Sequence, residues 1–208
     1  MKHYSYIMSI IILDFETSGL NPYHEDIIEI GAKIYKKDKA FESLVQPKSN
    51  RAISKKITDI TGISNKILRD SGKNYFNVCS EFYNWILENT KEQDNITIVS
   101  HNGNSFDFIF FKRILIDLKE GGIDITKLPE IIYIDTLPLS KRLYPGRTYY
   151  SQPSLAKTFQ ILLINAHRAM NDVLVLEQIY SRLLTDLSKH FDPNNNPTMI
   201  LDYIELKM

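Results

Sequence analysis

The stretch IIILDFETSGL, residues 10–20, decides how the chain is read. Ile10 to Leu13 form an unbroken apolar run, the pattern of a strand buried on both faces. The run ends in Asp14-Phe15-Glu16, two carboxylates around an aromatic ring. Side chains alternate along a strand, so Asp14 and Glu16 point to the same side, about 7 Å apart. Two negative charges at the end of a core strand cost stability unless a positive group lies between them. Something positive has to meet them.

Two helices farther along each turn a carboxylate inward. In the last long helix, from about Asn171 to Leu187, a core face repeats through Leu176, Ile179, Tyr180, Leu183, Leu184 and Leu187. Four residues before Leu176 stands Asp172, in the first turn of that stripe. The segment SFDFIFFKRILIDLK, residues 105–119, repeats the arrangement. Its stripe is Phe111, Ile114, Leu115 and Leu118, with Asp107 four residues ahead of Phe111. Either Asp taken singly is explained as well by the favourable field at a helix N-terminus. Both together with Asp14 and Glu16 aim four carboxylates at one sheet. At an effective dielectric of 20, a like-charge pair near 4 Å costs about 4 kcal/mol. A cluster of oxygens alone selects hard divalent ions, Mg²⁺ or Mn²⁺.

His167 stands five residues before Asp172, a spacing that puts the two on different helical faces. If both serve one site, His167 sits on the loop ahead of the helix, within INAHRAMND, residues 164–172. An imidazole there suits a proton acceptor, although a lone His is more often structural.

The order of elements around these residues is that of an α/β layer. Ile7 to Phe15, Asp26 to Tyr35 and Phe41 to Val45 read as three strands. A short helical turn over 54–64 ends at Gly62, and a helix follows over 77–89 with Val78, Phe82, Trp85 and Ile86 on one face. Then come a strand at 95–102, the helix with Asp107, a strand at 130–135, and helical pieces at 136–144 and 154–160. Three strands followed by helix–strand–helix–strand predict a mixed central sheet flanked by helices. The composition DPNNNP at 192–197 reads as a linker. The expected division is one domain over 1–190, with a linker and short tail over 191–208.

Bulk properties narrow the partners. Lys plus Arg, 25, equals Asp plus Glu, 25, so any nucleic-acid binding comes from a local patch or a metal rather than a basic field. The one cysteine, Cys79, cannot form an internal disulfide and shares a helical face with Phe82, Tyr83 and Ile86. That suits core packing and an intracellular, reducing compartment. No segment has the apolar length of a membrane span, and the N-terminal apolar run stops at Asp14 without a cleavage site.

Together these pieces resemble the DnaQ-like family of 3′-to-5′ exonucleases, in the His-containing (DEDDh) subclass. LDFETSGLNP, 13–22, is similar to its first motif, SHNGNSFDFIFFKRIL, 100–115, to the second, and HRAMNDVLVL, 167–176, to the third. The wording of the second motif is also similar to that of the three-prime repair exonucleases. ITGIS and DTLPLSKRL match weaker landmarks between the motifs. The resemblance implies an RNase H-like fold in which Asp14, Glu16, Asp107 and Asp172 hold two metals, Mg²⁺ or Mn²⁺, about 4 Å apart. It implies that His167 takes the proton of the attacking water and that a nucleoside 5′-monophosphate leaves. It places the backbone of Phe15 to Thr17 at the terminal sugar, Leu20 as a wedge against the last base, and Asn102 near the strand. DNA 3′ ends, single-stranded or frayed, are the expected substrate, and a polymerase or another replication or repair protein the expected partner. RNA as the substrate, or a non-catalytic subunit that binds nucleic acid or a polymerase, are the alternatives. His101 reads as structural. KRLYPGRTYYSQPS, 141–154, mixes basic and aromatic residues as a single-strand contact does, or as a solvated loop does.

Overall fold

The computed structural model describes residues 9–91, 93–163 and 167–189. Five strands form one mixed sheet in the order β3-β2-β1-β4-β5. They are β1 (Ile10–Thr17), β2 (Ile27–Ile34), β3 (Ala40–Leu44), β4 (Asn95–Ser100) and β5 (Glu130–Asp135). β1, β2 and β3 pair antiparallel, whereas β4 and β5 run parallel to β1. The helices are α1 (Lys55–Thr61), α2 (Asn65–Ser71), α3 (Tyr75–Asn89), α4 (Asp107–Glu120), α5 (Thr136–Leu143), α6 (Gln152–Phe159) and α7 (Ala169–Ser188).

The alternation of β1 sorts its side chains between two cores. Ile11, Leu13 and Phe15 pack with Phe82 and Ile86 of α3 and Phe110, Phe111 and Ile114 of α4. Ile12 packs on the other face against Val173, Leu176 and Tyr180 of α7. Leu139 of α5 and Leu155 of α6 cover the outer side of α7 at Val175, Ile179 and Leu183. Asp14 and Glu16 continue the Ile12 side, so they lie on the face that α7 begins to cover. Cys79 is wholly buried in the α3–α4 core, which raises its thiol to about 12 and leaves it a packing residue.

Several elements differ from the sequence reading. The helical turn expected at 54–64 is α1, ended as expected by Gly62 at φ 72°, and an unforeseen second helix, α2, follows from Asn65, capped by Ser64 through the N–H of Ile67. α2 buries only Leu68, so it has no periodic stripe to read. The strand expected to reach residue 102 stops at Ser100. Asp135 draws the next residues away by accepting from the N–H groups of Asn102 (2.9 Å) and Asn104 (3.0 Å). α7 begins at Ala169, two residues before the expected start. The expected linker and tail from 191 onward, and the N-terminal residues before Ser9, lie outside the described residues.

Candidate active site

β1 runs farther than its neighbour β4. Their pairing covers Ile10 to Ile12, and β4 ends one residue beyond, while β1 continues to Thr17. Side chains replace the missing ladder. Ser100 Oγ donates to the carbonyl of Leu13 at 2.8 Å, and the N–H of Phe15 donates to Asp107 Oδ1 at 3.2 Å. The first residue of α4 is thereby tied to the end of β1. Asp107 is buried beside Asp14 and Glu16, although the stripe of α4 packs on the opposite face of the sheet.

α7 brings the other two residues. His167 lies outside the helix in the left-handed region, at φ 67°, and its N–H donates to Asp172 Oδ2 at 3.0 Å. Glu16, His167 and Asp172 each bring one ligand atom to within 4.8 Å of the others. Among the described residues this is the group of His, Cys, Asp or Glu suited to a metal ion.

The electrostatics bind Asp14 and Asp107 to the same cluster. The Asp14 carboxyl is held well above the usual range by burial, then by Asp107, Asp172, Glu16 and Glu29. Burial, Asp172, Glu29 and Asp107 push Glu16 up to about 8, with Arg168 acting in the other direction. Asp107 rises to about 7 through burial, against the N–H bond from Phe15. Burial also raises Asp172, against the N–H of His167. Four raised carboxyls made only of oxygen donors are under-neutralised by the chain itself, and they fit a hard divalent cation.

The expected substrate contacts take different places. Phe15 sends its ring into the core against Phe110, at 6.3 Å between centroids, and its N–H is committed to Asp107. Thr17 is buried, with Oγ1 donating to the carbonyl of Gly19 at 2.7 Å. The turn after β1 is a built loop. Ser18 N–H donates to the Asp26 carbonyl at 2.8 Å, and Arg113 of α4 donates to the carbonyls of Pro22 and, at 2.9 Å, Glu25. That loop holds Leu20 85% exposed, four residues after Glu16 in the chain. Asn102 is exposed at φ 64°, its N–H held by Asp135. His101 Nδ1 pairs with Thr136 Oγ1 at 2.9 Å, a structural contact. In the basic and aromatic segment, Tyr144 donates to Asp186 and Tyr150 donates to the Tyr144 carbonyl, both at 2.6 Å. Only Tyr149 of its three tyrosines is largely exposed, which favours a structural loop.

Sequence reasoning missed Glu29 and Asp135. Glu29 interrupts the apolar run of β2, IIEIGAKI, and an acid there was the available signal. Asp135 ends an apolar strand and caps α5 through the N–H of Leu137, the pattern of a helix start.

The RNase T exonuclease family matches residues 11–180. The chain belongs to this DnaQ-like exonuclease family. Among curated relatives, this exonuclease is 36% identical over 182 residues to a Thermotoga maritima protein named DNA polymerase III PolC-type. It is 32% identical to the protein of that name from Caldanaerobacter subterraneus subsp. tengcongensis, again over 182 residues. The matched region is 86% of this chain and 12% of either relative. Among solved structures, exonuclease I superposes with a TM-score of 0.70 at 18% identity, covering 88% of this chain and 44% of that one. Cell-death related nuclease 4 superposes at 0.65 and 21%, covering 86% and 64%. Escherichia coli exonuclease I in complex with a dT13 oligonucleotide superposes at 0.67 and 18%, covering 89% and 44%. These neighbours share the RNase H-like fold.

Proposed function

We propose that the exonuclease removes nucleoside 5′-monophosphates from DNA 3′ ends, in a divalent-metal-dependent reaction of proofreading or repair type. The observation that carries this reading is the convergence of Asp14, Glu16, Asp107 and Asp172, all with raised carboxyls, beside His167. The four carboxylates would hold two ions, Mg²⁺ or Mn²⁺. Such ions supply a water that ionises near neutral pH and charge for the departing 3′ oxygen.

The remaining work falls to the chain. His167, exposed and within reach of Glu16 and Asp172, accepts the proton of the attacking water. Leu20 stands out from a loop anchored by Arg113 and wedges between the last base and its neighbour. The exposed side chain of Asn102 meets the strand, while Asp135 fixes its backbone. The end of β1 from Phe15 to Thr17 lies along the terminal sugar, with Asp107 already engaging the N–H of Phe15. A wedge and backbone contacts read no base edge, so base identity matters little. Similarity to proteins named DNA polymerase III PolC-type supports DNA as substrate and a polymerase as partner.

The test uses DNA and RNA oligomers carrying a 5′ label, with Mg²⁺ or Mn²⁺ and then with excess chelator. A descending ladder from the 3′ end that vanishes in chelator is expected. Hydrolysis undiminished in chelator overturns the metal reading. RNA favoured tenfold or more, about 1.4 kcal/mol, overturns DNA as substrate.

A further inference from the structure

Among the buried carboxylates that the chemistry above does not use, Glu29 lies nearest the centre of the cluster in strand register. Glu29 sits opposite Glu16 in the β1–β2 register, and none of its surface reaches solvent. Its partner comes from the turn that carries His167. Arg168 Nε donates to both Glu29 oxygens, at 3.0 and 3.2 Å, and Nη2 donates to Oε1 at 2.6 Å. Glu29 Oε2 also accepts the N–H of Ala169, the first residue of α7, at 2.9 Å. Arg168 occupies the N-cap of α7 and supplies no capping oxygen. A carboxylate from the sheet therefore satisfies a donor that the helix leaves open.

The same turn is fixed from its other side. His167 N–H bonds Asp172, and Asp172 N–H donates to the carbonyl of Arg168 at 3.0 Å. Two residues along β2 from Glu29 is Gly31. A Cβ there would lie 2.6 Å from the carbonyl carbon of Ala169 and 2.8 Å from Met170 N, so only glycine admits this approach. β2 grips the first turn of α7 by a bidentate pair, a capping bond and a backbone contact.

A buried ion pair adds little net stability over apolar residues of the same volume. A two-bond fork does fix orientation, because it locks the guanidinium plane. His167 and Asp172 lie one residue before and four after the locked residue. We propose that Glu29 and Arg168 are positioning residues of the exonuclease site, setting where His167 and Asp172 stand relative to Glu16. The inference rests on the functional reading above. A direct role for Arg168 on a substrate phosphate is disfavoured. Its fork is occupied, and Glu42 lies 3.8 Å away, so a phosphodiester there would enter acidic surroundings.

Three variants test it: Arg168→Lys, Arg168→Ala and the double Glu29→Leu/Arg168→Leu. Lysine keeps the charge and loses the fork. The double variant leaves no buried charge unpaired, and Arg168→Lys stands in where it does not fold. For each folded protein, kcat and KM are measured on 5′-labelled single-stranded DNA, and Mn²⁺ affinity by calorimetry. Positioning predicts a loss of about 10- to 100-fold in kcat and weaker Mn²⁺ binding for Arg168→Lys and the double variant. KM for DNA should stay within about threefold. Unchanged kcat and Mn²⁺ affinity in the folded double variant would make the pair a mere filler and overturn the proposal. A raised KM at unchanged kcat, with weaker salt dependence, would place Arg168 on the phosphate instead and also overturn it. If the wild-type chain cuts no 3′ end, the functional reading fails on its own. Mn²⁺ affinity then decides: loss in the double variant supports positioning, and unchanged affinity refutes it.

Discussion

Raising the pH of the metal-free protein should lower its melting temperature, by an amount that follows from Glu16. In the fold its carboxyl sits at about 8 against an ordinary 4.5, through burial and then the charges of Asp172, Glu29 and Asp107. The folded state therefore favours the protonated form. The stability this gives is full below 4.5 and is lost as pH rises towards 8, at about 1.4 kcal/mol per unit. His101 works in the opposite sense below 6.5, because burial holds its imidazole under its ordinary value. The clean window is thus pH 6.5 to 8. Across it Glu16 alone removes about 2 kcal/mol. Asp14, held well above its ordinary value, acts in the same direction, and Asp107 does so until about 7.

For a chain of this size about 2 kcal/mol corresponds to about 4–8 °C. The assay is thermal melting followed by circular dichroism at half-unit steps from pH 6.5 to 8, first in chelator and then in Mn²⁺. Mn²⁺ should remove the downward trend, since it binds the ionised form that the empty fold disfavours. Glu16→Gln should make the chelator series shallower, leaving the part due to Asp14 and Asp107, and melt above wild type at pH 8. A wild-type melting temperature that is constant or rising in chelator would refute the reasoning. So would an unchanged slope in Glu16→Gln.

Other perturbations act on single parts. Asp14→Asn should lower turnover by orders of magnitude yet melt no lower than wild type in chelator, because it removes a repelled charge; kinetics and melting on one sample check both. His167→Ala should cost about 10² to 10⁴ in rate. Its melting temperature should hold, since the side chain is exposed and only the backbone N–H bonds Asp172. Leu20→Ala should slow removal of paired 3′ ends more than single-stranded ones at unchanged stability, as rates on matched oligomers would show; the side chain is 85% exposed.

What the sequence disclosed depended on periodicity. Asp14 and Glu16 were legible because a period of two continues past Leu13, and Asp107 and Asp172 because each heads a helical stripe. Glu29 was harder. In a strand with one wet face an acid among isoleucines would point to water, but β2 is covered on both faces. Its meaning comes from Arg168, 139 residues away, and no local pattern encodes that pairing. The end of β4 was misread for a related reason. His101 and Asn102 extend the run NITIVS smoothly, and only Asp135, from the next strand, withdraws their backbone from the sheet. α2 escaped because a seven-residue helix burying one side chain has no period.

The position of the carboxylates follows from the same break in the ladder. Had β4 continued beside β1, the N–H of Phe15 would face a strand carbonyl, and the space at that edge would be closed. Instead β4 stops at Ser100, and Ser100 Oγ and Asp107 take over the backbone groups of Leu13 and Phe15. Asp107 thus satisfies a strand donor and joins the acidic cluster with one side chain. Its structural bond holds it in place, and its burial raises its carboxyl. Beneath it, Leu13 and Phe15 anchor β1 in the α3–α4 core, while Ile12 anchors the opposite face on α7. The two cores offset the repulsion at the strand's end, so the charges are carried by a segment that cannot move apart to relieve them. A rigid set of repelling carboxylates binds a cation without first being gathered, and the cost of bringing them together is met in folding rather than in binding.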